Sequence, residues 1–187
     1  MAKEEKDSIE DRLFAIQDKT LEERGLVECF LALENLIIAI QTDAQEFIER
    51  AARERTDLRR EIVRRGQHES GSKSFIPTSK RVLFLRNEND RPRLTWHVSW
   101  YSRRGTGARF SSLKSTKTGT PLRDILEGAH PDEIDLLTSQ EMSVRAINKR
   151  WAGIAAIRRS IRMHTLTLLN ARANAAQVDG TGAVGAA

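Results

Sequence analysis

The chain has 187 residues, of which 30% are charged, 39% hydrophobic and 5% aromatic, with a formal net charge of +5. That is one domain's worth of sequence with a lean core, and the single cysteine, Cys29, excludes an internal disulfide framework or a cysteine zinc cluster. No uninterrupted apolar run of about 18 residues occurs and the start MAKEEKDSIEDR is polar, so neither a membrane span nor a secretory leader is expected and a cytoplasmic location is.

Residues 1–19 read as a polar segment with a short amphipathic piece around Leu13, Phe14 and Ile16. Thr20-Leu21-Glu22-Glu23 then fits a capping box, in which hydroxyl and carboxylate each satisfy the other residue's free amide. Leu26, Phe30, Leu33, Ile37, Ile40, Ala44, Phe47 and Ala51 follow at alternating spacings of four and three, an a/d seam. No proline interrupts residues 20–66, which predicts one helix of roughly 70 Å at 1.5 Å per residue. Gly66 is the expected stop, with a loop from His68 to Ser72.

Residues 81–113 change period. Arg81 to Arg86 is a short apolar run bounded by charge, and Asn87 to Pro92 a turn. Leu94, Trp96, Val98 and Trp100 alternate with Thr95, His97 and Ser99, the pattern of a half-buried strand. A turn at Arg103 to Gly107 and a run from Ala108 to Leu113 complete a predicted three-stranded antiparallel meander. Alternation puts both tryptophans on the packed face and His97, Ser99 and Tyr101 on the other.

Thr120-Pro121 opens a short helix over 121–127 that closes at Gly128. A last helix is expected over 131–173, with acids in its first turn and a second capping box at Thr138 where it can break and restart. Val144, Ile147, Trp151, Ile154, Ile157, Ile161, Thr165 and Leu168 keep its helical spacing. Residues 174–187, rich in Ala and Gly, read as a disordered tail. The fold class expected is therefore α+β, a single domain over 20–173 built on a long antiparallel, coiled-coil-like helical hairpin with the sheet inserted between its helices. Asp132, Glu133 and Asp135 would face Arg59, Arg60, Arg64 and Arg65, and Arg158, Arg159 and Arg162 would face Glu22, Glu23, Glu28 and Glu34. The thin core predicts a homodimer burying the helical seams.

Charge is divided along the chain. Residues 1–49 net −8, residues 50–123 net +13, and residues 124–187 net zero. Of the 31 basic residues 23 are arginine, whose planar fork suits phosphate oxygens. Arg81, Arg86, Arg91, Arg93, Arg103, Arg104, Arg109, Lys114 and Lys117, at strand ends and turns of one sheet, are the candidate nucleic-acid-binding residues. The arginines between Arg50 and Arg65 alternate with Glu54, Asp57 and Glu61 and read as a solvated helix exterior. Catalysis finds little support. The four histidines lack metal-ligand spacing, neither a nucleophile elbow nor a phosphate loop occurs, and Cys29 beside the apolar seam reads as a buried, inert thiol. No metal, cofactor or catalytic residue is expected.

The order of parts, an acidic-to-basic helix, a basic sheet centred on Leu94-Thr95-Trp96-His97-Val98-Ser99-Trp100-Tyr101 and a second long helix, resembles MobI-type auxiliary mobilisation proteins of conjugative elements over residues 20–170. The resemblance implies a non-enzymatic DNA-binding accessory factor that acts at a transfer origin and assists a relaxase. No family residue maps onto a position of this chain. A coiled-coil scaffold whose basic surface meets an acidic protein or RNA is the alternative reading, and both stay open on the sequence.

Overall fold

The computed structural model describes residues 8–70, 78–88, 91–101, 108–115 and 119–182. It is an α+β chain in the order α1 (Ile9–Phe14), α2 (Leu21–Ser70), β1 (Arg81–Glu88), β2 (Arg91–Tyr101), β3 (Ala108–Ser112), α3 (Leu122–Leu126) and α4 (Ile134–Gly182). Two compact units divide it, residues 1–38 with 153–187 and residues 39–152, and α2 and α4 contribute to both.

In the first unit, α1 starts in a capping box: the Asp11 amide donates to Ser8 Oγ and the Ser8 amide to Asp11 Oδ2, each at 3.1 Å. The Ser8 hydroxyl, and then the Ser8 amide, hold the Asp11 carboxyl below its usual range. The cap fixes a helix whose Leu13 is fully buried against Leu26 and Phe30, with Ile161 and Leu168 of α4 packed alongside. The amphipathic piece read from sequence around Leu13 therefore supplies a core residue. At the start of α2 the predicted capping box is present, with Thr20 N–H donating to Glu23 Oε2 at 2.7 Å and Glu23 N–H to Thr20 Oγ1 at 3.2 Å. Arg172 of α4 also donates to Glu23, at 3.0 Å. The Thr20 amide, aided by Arg172 and opposed by burial, lowers the Glu23 pKa. Glu22 meets His164 and Glu34 meets Arg158, so within this unit the two helix segments run in opposite directions. Such half-exposed pairs contribute at most about 1 kcal/mol each and act mainly on register.

The α2 seam is buried at every predicted position except Ile37, which is half-buried. On α4 the predicted stripe slips once. Ile157 is 51% exposed, and Arg158 is the half-buried position between Ile154 and Ile161. Further corrections concern ends and exposure. The first long helix continues past Gly66 to Ser70 and the last past Ala173 to Gly182, with no break at Thr138. A helix-spaced glycine or a run of small residues is tolerated where the backbone ladder is otherwise continuous. Cys29 is exposed, one position off the seam. α2 also holds an 18-residue window of mean hydropathy 1.5 with at most two charges, 22% of it buried. By length and composition that helix is apolar enough to cross a membrane, which corrects the exclusion drawn from uninterrupted runs. The seam and an exposed flank (Leu31, Leu36, Ile38) add up along one segment.

In the second unit β1, β2 and β3 form the predicted meander, antiparallel throughout, with Leu83 opposite Trp96 and His97 opposite Ser112. One face of β2 packs on the helices. Trp96 is fully buried, its indole N–H donating to Glu141 Oε2 at 2.7 Å, and the Arg55 guanidinium lies 5.4 Å from its ring centre. An indole removes roughly 150–250 Å² from water, about 4–6 kcal/mol as an upper estimate at ~25 cal/mol per Å². β3 pairs only with the far half of β2, so Leu94 lacks a strand partner there. Asn148 of α4 takes its place, accepting from Leu94 N–H at 2.9 Å and donating to Leu94 C=O at 3.0 Å. Arg55 donates to the carbonyls of Ala51 and Arg81 at 2.9 and 2.8 Å, and burial pushes its pKa down to about 10, still cationic at neutral pH.

Glu133 closes the same unit. It is 1% exposed and accepts from the amides of Ser79 at 2.7 Å and His130 at 2.9 Å and from Arg59 Nε at 3.1 Å. Arg59 in turn donates to the Ser79 carbonyl. The carboxylate thus joins α2, the lead-in to β1 and the turn before α4. Replacing Glu133 with alanine leaves a guanidinium and two amides without their acceptor, so we expect a loss of about 3–5 kcal/mol, read as a fall in the urea unfolding midpoint. A loss below 1 kcal/mol would show that water replaces the carboxylate.

Candidate nucleic-acid interface

Strand register sorts the side chains of the sheet onto two faces. Arg81, Leu83, Leu85, Leu94, Trp96 and Val98 share the face packed on the helices. Val82, Phe84, Arg86, Arg93, Thr95, His97 and Ser99 share the other, joined by Phe110 and Ser112 of β3.

The second face is not a bare polar surface. Phe84 from β1 and Phe110 from β3 meet across β2, ring centres 5.0 Å apart and inclined at 72°. Phe84 also meets the His97 imidazole edge-on at 4.8 Å. The two rings explain why Thr95 and His97 are buried on this side, at 7% and 1% exposure. His97 lies on the face where alternation put it, away from the tryptophans, but it is buried there, with the Phe84 ring of the neighbouring strand packed against it. Its Nε2 pairs with Thr95 Oγ1 at 3.1 Å, and its Nδ1 is buried without a hydrogen-bond partner. Desolvation, and then the positive charge of Arg86, lower the His97 pKa and keep the ring neutral. Phe110 itself stays 47% exposed.

The predicted basic residues divide by what they touch. Arg81 is 5% exposed and donates to the carbonyls of Ile125 and Glu127, both at 3.1 Å. It ties β1 to α3 and is withdrawn from the candidate contact set, because its guanidinium fork is already filled. Arg86 and Arg93 are register partners on the aromatic face, Arg86 exposed and Arg93 half-buried with Nη2 donating to Ser115 Oγ at 2.5 Å. Arg109 and Lys114 are exposed. Arg91 lies in β2, opposite Glu88, but its side chain lies outside the described residues, as do Arg103, Arg104 and Lys117 and the side chains of Trp100 and Tyr101.

Three arginines of α2 behave as the sequence suggested, whereas Arg55, 4% exposed, is drawn into the fold and corrects the reading of a wholly solvated exterior. Arg50 pairs with Glu54, Arg60 with Asp57, and Arg65 with Glu61 and Asp132. Among the described residues no carboxylate reaches ion-pair distance of Arg86 or Lys114. Residues 78–115 carry nine Lys and Arg against two acids, so the positive potential of the chain concentrates at the sheet. Also among the described residues, no group of three or more His, Cys, Asp or Glu gathers where a metal ion would be held. Sequence reasoning missed the Phe84–Phe110 pair. The available signal was that both lie on the strand face opposite Trp96 once register is assigned, which a reading of β2 alone does not reach.

A neutral histidine buried in the fold must take up a proton on unfolding at low pH. Because the folded pKa lies below the ordinary 6.5, the unfolded chain binds more protons between the two values. Stability from this group is full above about pH 6.5 and is lost as pH falls through the folded value. Thermal midpoints measured from pH 7.5 down to 5 should decline in the parent and decline less in His97→Asn. Parallel curves for the two proteins would assign the decline to other groups.

Comparison with protein-family models, with curated proteins and with solved structures finds no match to this chain.

Proposed function

We propose that this chain is a non-enzymatic DNA-binding accessory factor whose contact surface is the basic sheet. The observation that carries the reading is the concentration of basic residues at the sheet, nine Lys and Arg against two acids over residues 78–115. Of these, Arg86 and Lys114 face solvent with no carboxylate partner among the described residues. Cations left unneutralised on one small surface are the electrostatic footprint of a polyanion site. The resemblance to auxiliary mobilisation proteins sets the biological frame: action at a transfer origin, in support of a relaxase, with no chemistry of its own.

In the same reading α2 and α4 form an antiparallel hairpin along their whole length and hold the protein's partners. Leu31 and Ile38 are 52% and 58% exposed on α2, and Met163 is 60% exposed on α4. These apolar side chains favour a protein contact of the helices, as a homodimer or with a transfer protein. The scaffold alternative uses this same helical surface and differs in that its basic surface meets an acidic protein or RNA rather than DNA.

An electrophoretic mobility assay on transfer-origin DNA tests the proposal. Changing both Arg86 and Lys114 to Glu should weaken binding at least tenfold and reduce the salt slope by about 2, near 0.9 for each duplex phosphate contact removed. Absence of binding by the parent protein, with no nucleic acid co-purifying, would favour the scaffold.

A further inference from the structure

The aromatic face points to a narrower ligand than duplex DNA. We infer that the Phe84–Phe110 face of the sheet, flanked by Arg86 and Arg93, is a stacking platform for unpaired bases of single-stranded DNA. The inference rests on the DNA-binding reading above and specifies which form of DNA the sheet takes.

Three observations combine. First, Phe110 sits on an edge strand and presents 47% of its surface to solvent although an apolar core lies within the same unit. It meets Phe84 in a T-shaped contact at 5.0 Å, so one ring buttresses the other while nearly half of Phe110 stays open to a ligand. Second, the platform is fixed from beneath. His97 and Thr95 are buried on this face and bonded to each other at 3.1 Å, and the Phe84 ring packs edge-on against the imidazole. A pre-positioned ring spends little entropy when a base settles on it. Third, the cations share this face with the rings. Arg86 and Arg93 oppose each other in register, two residues along the strands from Phe84 and Thr95. Same-face neighbours two residues apart on a strand lie about 7 Å from one another, a step close to that between successive phosphates of an extended strand.

The charge argument selects a polyanion, and the exposed ring selects its state. Bases in a duplex have both π-faces covered by their neighbours, so an isolated side-chain ring finds nothing to stack on without unstacking a base step. A single strand offers each base's face freely, and aromatic platforms with a basic border are the sequence-tolerant solution. The choice of DNA over RNA rests on the DNA-binding reading above.

Fluorescence anisotropy with a labelled 20-nucleotide DNA strand, the same strand annealed to its complement, and an RNA strand of the same sequence tests the assignment on the full chain at fixed salt. The parent should bind the DNA strand most tightly. Phe110→Ala, checked for an unchanged circular dichroism spectrum and melting curve, should weaken single-strand binding roughly 5- to 100-fold and leave duplex binding and the salt slope unchanged. Phe110→Trp should restore it. Arg86→Gln should instead lower the single-strand salt slope by about 0.7. Duplex bound as tightly as the single strand, or Phe110→Ala with no effect, would overturn the stacking platform while leaving DNA binding in place. RNA bound as tightly as DNA would overturn the choice of strand. No binding of any of the three would overturn the DNA-binding reading itself.

Discussion

The second unit is organised around the burial of one indole. Trp96 takes an apolar ring and an N–H donor out of water together, and the second requirement decides what must surround it. Glu141 accepts the N–H at 2.7 Å, and Arg145 answers the other carboxylate oxygen, also at 2.7 Å. Arg145 in turn donates to the Thr120 carbonyl, so the chain of bonds leads from the sheet through α4 to the segment before α3. Gly119 belongs to the same construction. Its φ is +122°, and a Cβ there would lie 2.7 Å from Glu141 Oε1 and 2.8 Å from Arg145 Nε. A side chain at this position would press on two groups already committed to each other, which is why the loop closes on glycine.

Arginine appears in this chain in two capacities, and context separates them. Arg55, Arg59 and Arg81 use the guanidinium as a multidentate tie to backbone carbonyls, and for Arg59 also a carboxylate, of other elements, a task in which a lysine's point charge would satisfy fewer acceptors. Burying them is tolerable because each finds several acceptors, which offsets the desolvation that lowers the Arg55 pKa. Arg86 meets no such demand. Net charge counts both kinds equally, so the basic block of the sequence overstates the positive surface by at least these three residues.

This explains what was legible in the chain. Periodicity located α2, the sheet and α4, because hydrophobic burial repeats with backbone geometry; Trp96 and the seam from Leu26 to Ala51 followed from spacing alone. The Thr20–Glu23 cap was legible for the same reason, being local. Helix ends were not, because Gly66 and the Ala-rich stretch after Ala173 only lower local propensity, and propensity is weaker than a continuous hydrogen-bond ladder. The basic residues at the sheet were recognised as a set, but the removal of Arg81 depends on α3 carbonyls 44 and 46 residues away. The aromatic face depends likewise on pairing between three strands. Both are matters of register and contact order, on which single-strand alternation is silent.

The outer face also shows why a strand surface facing solvent need not be polar. An exposed Phe110 forgoes about 25 cal/mol for each Å² left in water, and a buried His97 with an unpartnered Nδ1 costs more. Neither would persist on a surface whose only task was solubility, since Ser or Thr at both positions satisfies a half-buried strand at lower cost. The two penalties fall on the same few residues, beside Arg86, where added positive charge further disfavours a protonated imidazole. Local sacrifices of stability that coincide in space are a mark of function. Here the coincidence sets the Phe84–Phe110 pair and Arg86 on one face of the same sheet, the combination that the proposed stacked base and its phosphate require.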